Sequence, residues 1–571
     1  MRTIYTGGQV FTGALPLAEA FIVEDGCFLS VGTDAQILSL RQEGDAIVPL
    51  EGGFVCPGFN DSHMHLLNYG NTMEMCDLTG AATTSLTALQ DALRAFAAEH
   101  PEGWLLGRGW NQDYFSPAGD IPTRHDLDAI SADRPICITR CCGHCLTVNT
   151  RALELLGLDA STPVPEGGAI DVDADGRLTG VFRDTAMVLV QSRLPKPTRD
   201  DMKRMIRTAC KALNSVGVTS CQSDDFCCFE NVDWRDVLAA FQEVEQEGGL
   251  TVRVYEQSQL TNMQELQAFL DMGYTTGVGS ELFRIGPLKM LGDGSLGART
   301  AYLSQSYADA PGEKGIAIFT QEQFNDMVAL ARSRNMSAAI HAIGDGILDR
   351  VLNAYEYAAK LYPDANVRSG VVHVQLTRPD QLQRMKELGL HAYVQTIFID
   401  YDSHIVHARA GEQLAGTSYA FRTMQERKGG QGPTSTSDCL QEPCVASADP
   451  AGAVMAGMGI TVSNGTDCPV ENPNPMRGLQ CAVTRQPLDG SLPPYRPEEA
   501  LSVENALQIY TAGGAYASFE EETKGKIAPG MLADFTILAE NPFDVPTGDI
   551  HRIQTRSTYL GGKCVHPACK M

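Results

Sequence analysis

The chain reads as an α/β protein built on a parallel sheet, and two patterns predict it. From about residue 315 onward, short apolar strands alternate with amphipathic helices. Each strand also ends on a polar residue, at the end where a (β/α)8 barrel builds its active site.

The first 50 residues are different in texture, reading as short strands joined by tight turns. TIYTGGQVFTG carries a Gly-Gly turn, and AFIVEDGCFLSVG carries Asp25-Gly26 between alternating segments, a hairpin signal. The C-terminus repeats this texture, with GMLADFTILAENP as a strand and STYLGGKCVHP as another Gly-Gly hairpin. Residues 75–200 fit no barrel rhythm and read as an insertion or small subdomain over the barrel mouth. The Gly-, Pro- and Ser-rich segment 428–452 reads as a loop insertion.

The alternating region is well punctuated. Thr320 to Gln323 form a capping box, with Phe324, Met327, Val328 and Ala331 following at helical spacing. The strand MSAAI then ends at His341. A second helix carries Ile347, Leu348, Val351, Leu352 and Tyr355 on one face, and SGVV leads to His373. Thr377 and Pro379 start a third helix, and LHAYVQT ends near Gln395. Continuous apolar strands of this kind belong to a parallel sheet covered on both faces.

Composition excludes several function classes. A net charge of −26 opposes nucleic acid and anionic lipid as partners. No apolar run approaches the roughly 20 residues of a membrane span, and MRTIYTGGQVFTG lacks the features of a signal peptide. Seventeen cysteines, an odd number, fit a reducing cytosol better than a disulfide framework. The run Cys141-Cys142-Gly143-His144-Cys145 lacks a second ligand pair at finger spacing and reads as packed thiols.

His63 and His65 close the run GGFVCPGFNDSHMH. On an extended strand, residues i and i+2 share a side, so two imidazoles there can hold one metal ion. Ordinary polar loop residues would give the same spacing. His341, His373 and Asp467 occupy later strand ends; alone, each reads more often as a hydrogen-bonding structural residue or a turn former than as a ligand. Their coincidence is the signal: four histidines and an aspartate suit one or two divalent ions. Lys289 stands in the apolar run RIGPLKML, where its stem either snorkels to the rim or serves the site. His391 starts its strand and so belongs to the other barrel face, while His404 and His407 read as helix-surface residues.

These motifs resemble the amidohydrolase superfamily in its YtcJ-like branch, amidohydrolase family 3. The matching runs are GGFVCPGFNDSHMH, LLGRGWNQD, GHCLTVNTRAL, PLKMLGDGSLGARTAYL, IHAIGD, VVHVQLTRPDQ, GTDCPVENPNP, PYRPEEALSVENAL and KGKIAPGMLADFTIL, in family order. The resemblance implies a distorted (β/α)8 barrel over 56–525 and a β-sandwich from residues 1–55 and 526–571. It implies metal ligands His63, His65, His341, His373 and Asp467, with Zn²⁺ as the expected ion. Lys289 matches a lysine that carbon dioxide carboxylates in two-metal relatives. Trp110, Asn111, Gln112, His144, Arg299 and Gln395 are the implied substrate-binding residues, and Asp467 the implied catalytic base. Two departures stand out: Val372 where the family commonly has Glu, and the 428–452 segment.

The activity expected is hydrolysis of an amide, formamide or cyclic amide by a metal-activated water. The alternatives are a deaminase or esterase on the same site, or a catalytically silent binding or regulatory protein. The partner expected is a small molecule, with homo-oligomerisation left open.

Overall fold

The computed structural model describes residues 2–80, 84–112, 115, 116, 121–141, 143, 145–165, 168–425 and 459–567. The expectations for His144 and for the 428–452 segment lie outside the described residues. The chain forms two compact units, one of Met1–Leu66, Cys210–Asp225 and Val244–Met571, the other of Leu67–Ala209 and Phe226–Glu243.

The first unit contains an eight-stranded parallel sheet. Its strands are β1 (Phe59–Met64), β2 (Val218–Ser223), β3 (Arg253–Gln259), β4 (Phe283–Leu291), β5 (Ala338–Ala342), β6 (Gly370–His373), β7 (His391–Val394) and β8 (Val462–Asn464), paired in that order. The sheet is nearly closed into a barrel. At the seam the Asp467 amide donates to the His63 carbonyl at 2.8 Å, and the Thr466 amide donates to Asp61 at 3.0 Å. Gly465 permits this approach, since a Cβ there would lie 2.5 Å from the His63 nitrogen.

The expected helices form where the sequence signals them. Gln321–Ser333 opens on the Thr320–Gln323 capping box and buries Phe324, Met327, Val328 and Ala331. Asp345–Leu361 buries Ile347, Leu348, Val351, Leu352 and Tyr355. Pro379 takes the first turn of Pro379–Glu387, where its missing N–H costs nothing.

Both chain ends contribute to two further sheets of this unit. One orders Cys27–Gly32, Ala20–Glu24, Arg2–Thr6 and Ala46–Pro49. The other orders Gln9–Val10, Phe54–Pro57, Phe535–Leu538, Thr555–Leu560 and Lys563–His566. They share a core in which Tyr5, Phe21 and Phe28 meet Phe535 and Ile537, giving the β-sandwich. Asp25 and Gly26 both have positive φ, 49° and 85°, as a type I′ hairpin requires. Gly561–Gly562 likewise joins an antiparallel pair. Gly7–Gly8 does not close a hairpin: the strand before it pairs in the first sheet and the strand after it in the second. Tyr5 before it and Val10 after it are both buried in the shared core, so the chain crosses between sheets there.

The second unit holds a six-stranded mixed sheet, ordered Gly168–Val172, Leu178–Asp184, Cys145–Val148, Ile136–Arg140, Leu105–Trp110 and Cys76–Asp77. Leu89 and Leu93 of the helix Leu86–Glu99 pack with Leu105, Trp110 and Ile138 in one core. Leu146, Val148 and Phe182 belong to another. Cys145 is buried as a packed thiol, but Cys141 is exposed because it falls in the turn after its strand.

Candidate metal centre

Strand β1 carries His63 to its carboxyl end, and His65 follows directly. Asp467 comes from the turn after β8, and its carboxylate reaches both: Oδ1 lies 3.5 Å from His63 Nε2 and 3.0 Å from His65 Nε2. One ligand atom from each of the three falls within 4.8 Å of the others. The ring of His373 lies 5.4 Å from that of His63 and 4.4 Å from that of His341. Four imidazoles and one carboxylate from β1, β5, β6 and β8 therefore converge at one end of the barrel.

The backbone aims two of these side chains. His373 has φ 77° and Asp467 φ 57°, both in the left-handed region. Such conformations cost non-glycine residues about 1–3 kcal/mol and persist where surrounding structure imposes them.

Every one of the four rings has one nitrogen engaged by an acceptor. His63 Nδ1 donates to Gln257 Oε1 at 2.8 Å, and His373 Nδ1 to Gln395 Oε1 at 2.7 Å. His65 Nδ1 donates to the Asp224 carbonyl at 2.7 Å. His341 is turned the other way: its Nε2 lies 3.1 Å from the Gly294 carbonyl and 3.2 Å from Asp293 Oδ1. Asp293 is fixed in turn by the backbone amides of Tyr302, Ile343 and Gly344. For His63, His341 and His373 such partners choose the tautomer and leave the opposite nitrogen with its lone pair, whereas the opposite nitrogen of His65 meets Asp467.

Electrostatics agree with a ligand set. Burial, followed by the charge of Lys289, holds His63 well below the usual imidazole range. Burial and His341 do the same to His373. Burial also opposes a charge on His65, but the hydrogen bond and charge of Asp467 outweigh it and raise its pKa to about 9. Burial pushes the Asp467 pKa up, yet His65 and the other imidazoles hold it well below the carboxylate range. These shifts favour a proton shared between His65 and Asp467, with His63 and His373 held uncharged beside it. A divalent ion fits where that shared proton sits, because both partners are ligand types once it leaves.

Lys289 lies within β4 and is 1% exposed. Its ammonium pairs with Asp224 Oδ2 at 2.7 Å, so the buried cation is neutralised rather than snorkelling to the rim. The second oxygen of Asp224 has no hydrogen-bond partner among the described residues.

The implied substrate residues are placed as follows. Gln395 spends its oxygen on His373 and its amide nitrogen on the Tyr393 carbonyl at 3.3 Å. The Arg299 guanidinium is engaged by Asp309 at 2.9 and 3.1 Å. In the second unit Trp110 is fully buried in an apolar core, while Asn111 and Gln112 accept from Arg140 at 2.7 and 2.9 Å. Val372 packs with Ala339, Tyr393 and Ala517, so no carboxylate orients His373 from its own strand. His391 is saturated by Thr461 and Ser463, each at 2.7 Å.

Three residues of this centre escape the sequence reading. Asp224 and Asp293 follow strand ends, the rule that singles out His341, but β2 and β4 lie outside the region of clear alternation. Gln257 sits inside a strand, where an amide gives no sequence signal.

Comparison with known proteins agrees with this geometry. The amidohydrolase family model matches residues 46–566. The chain is 29% identical to the protein YtcJ of Bacillus subtilis (strain 168), over 99% of each chain. It is 24% identical to the N-substituted formamide deformylase of Arthrobacter pascens, over 95% of this chain and 94% of that one. An uncharacterized metal-dependent hydrolase from Pyrococcus furiosus superposes with a TM-score of 0.73 at 28% identity, covering 95% of this chain and 100% of the other.

Proposed function

We propose, from the premise that the chain belongs to the amidohydrolase family, that it hydrolyses a non-peptide carbon–nitrogen bond at a divalent metal centre. A metal-dependent hydrolase is what the family and its structural neighbours support; the bond type is our reading. The convergence of His63, His65 and Asp467 is the observation that carries it. The deformylase name of one full-length relative favours a formamide or related amide.

His63, His65, His341, His373 and Asp467 would hold the ion, which we take to be Zn²⁺ from the imidazole-rich donor set. The bound ion would polarise the scissile carbonyl and make water a nucleophile near neutral pH. Asp467 supplies the proton transfers: held ionised by its imidazole neighbours, it takes a proton from water and returns one to the leaving nitrogen. Lys289 would be a further ligand if carboxylated, which would require its ion pair with Asp224 to open. Trp110, Asn111, Gln112 and Arg299 remain our candidates for substrate contacts. The exposed Cys141 and Cys227, with the odd cysteine count, favour a cytosolic location.

Purified protein supplied with Zn²⁺ or Mn²⁺ should hydrolyse members of a formamide, amide and cyclic amide panel. Asp467→Asn should lower kcat/KM by about 10²–10⁴-fold. Turnover confined to esters or aminated heterocycles would overturn the bond assignment, and unchanged turnover in the variant would overturn the base.

A further inference from the structure

We infer that Gln257 and Gln395 are a matched pair of positioning residues that set which nitrogen of His63 and of His373 faces the metal centre. The inference rests on the metal-dependent reading above and extends it to this chain's own supporting shell.

Gln257 lies on β3 and Gln395 directly follows β7; both are buried. A side-chain amide can be placed either way round, so its orientation needs an independent anchor. Both have one. Gln257 Nε2 donates to the Ser62 carbonyl at 3.1 Å, and Gln395 Nε2 to the Tyr393 carbonyl at 3.3 Å. With each NH₂ spent on a carbonyl, the amide oxygen is what meets the imidazole. A ring nitrogen facing that oxygen must carry the proton, so Nε2 keeps its lone pair. The two rings are 5.4 Å apart, and the same device acts on each from a different strand.

The pair also explains how Val372 is tolerated. A carboxylate beside His373 would orient the ring by hydrogen bonding; here Val372 is committed to an apolar cluster. The orienting oxygen comes instead from Gln395, on the neighbouring strand's end. An uncharged acceptor makes the hydrogen bond without adding another ionised group to a fully buried site, which would be costly. Asp467 then stays the one carboxylate in the candidate ligand set, with Asp224 and Asp293 given to Lys289 and His341.

The test compares Gln257→Met and Gln395→Met, which keep the length but lose the oxygen, with Gln257→Glu and Gln395→Glu, which keep the oxygen. The readouts are the Zn²⁺ dissociation constant, by competition with a chromophoric chelator, and the visible spectrum of the Co²⁺-loaded protein. Each Met variant should bind Zn²⁺ roughly 10- to 100-fold more weakly and shift the Co²⁺ bands. Each Glu variant should bind Zn²⁺ more tightly than its Met counterpart, because it keeps the acceptor. Parental affinity in the Met variants overturns the inference. So does an equal loss in the Glu variants, because that marks lost packing rather than a lost acceptor. Should a Met variant fail to fold, the Leu variant of the same position (Gln257→Leu or Gln395→Leu) takes its place, with the same expected loss. If the parent protein itself takes up no metal, both the functional reading and this inference fall; if it does and the glutamines are indifferent, only this inference falls.

Discussion

His373 and His391 stand on neighbouring strands, at opposite ends of the barrel, and use their nitrogens differently. His373, at the end of β6, gives Nδ1 to Gln395 and leaves Nε2 without a hydrogen-bond partner among the described residues. His391, at the start of β7, has both nitrogens engaged, one by Thr461 and one by Ser463. Both are buried, and burial lowers the pKa of both. Burial and neutrality therefore do not mark a functional histidine. A nitrogen left open, or met only by a fellow ligand as His65 Nε2 is by Asp467, does, because a buried polar group left without a partner is expensive unless something else completes it.

The largest effect should come from removing His373. Asparagine is the informative replacement, since it tolerates the left-handed φ of 77°. His373→Asn should reduce bound metal well below the parent stoichiometry and lower turnover by at least about 100-fold. His391→Gln should leave metal content and kcat near parental values, since that ring reaches no ligand. Metal analysis with steady-state kinetics reads both. Equal losses in the two variants would erase the distinction between the barrel ends.

The opposite ranking should hold for stability. His391→Leu leaves the hydroxyls of Thr461 and Ser463 without their buried partner. That should cost about 2–4 kcal/mol in chemical denaturation of the metal-free protein. Since the metal-free state lacks the ion for His373 to bind, His373→Asn should cost less there. A larger loss for His373→Asn would mean that its hydrogen bond with Gln395 serves folding before it serves the centre.

This contrast also explains what the sequence made legible. His63, His65, His341, His373 and Asp467 share a rule, a polar residue where an apolar strand ends, and β5 to β8 display it plainly. His391 is separable for the same reason, because it begins its strand. The glutamines are not legible, because their role is a relation between strands: Gln257 is 194 residues from His63 in sequence. Gln395 shows the limit from the other side. Its strand-end position draws notice, but position alone does not distinguish an amide aimed at substrate from one aimed at a neighbouring ring. The sandwich was legible only as matched texture at the two termini, since pairing between Phe54–Pro57 and Phe535–Leu538 spans most of the chain. Gly7–Gly8 read as a turn within one texture because sheet membership is not a local property.

The smallest effect is a pH slope, and its sign follows from the His391 site. Burial, then the charge of Arg368, lowers the His391 pKa to about 3 in the folded state, against about 6.5 for an unperturbed imidazole. Between those values the unfolded chain binds a proton that the folded chain refuses. Stability from this residue is thus fully present above about pH 6.5 and is lost as the pH falls toward 3, by at most about 1.4 kcal/mol per pH unit. His391→Gln offers two hydrogen-bonding groups but does not titrate, so it should flatten that part of the curve. Unfolding free energies of the metal-free parent and variant, measured at pH 7.5, 6 and 5, give the difference directly. The parent should lose its advantage on acidification; a difference that stays constant across the three would show that His391 takes up its proton in the folded barrel as it does in the unfolded chain. Metal-free protein is the right material, because the ligand histidines also exchange protons with the ion and would hide a slope that belongs to the other end.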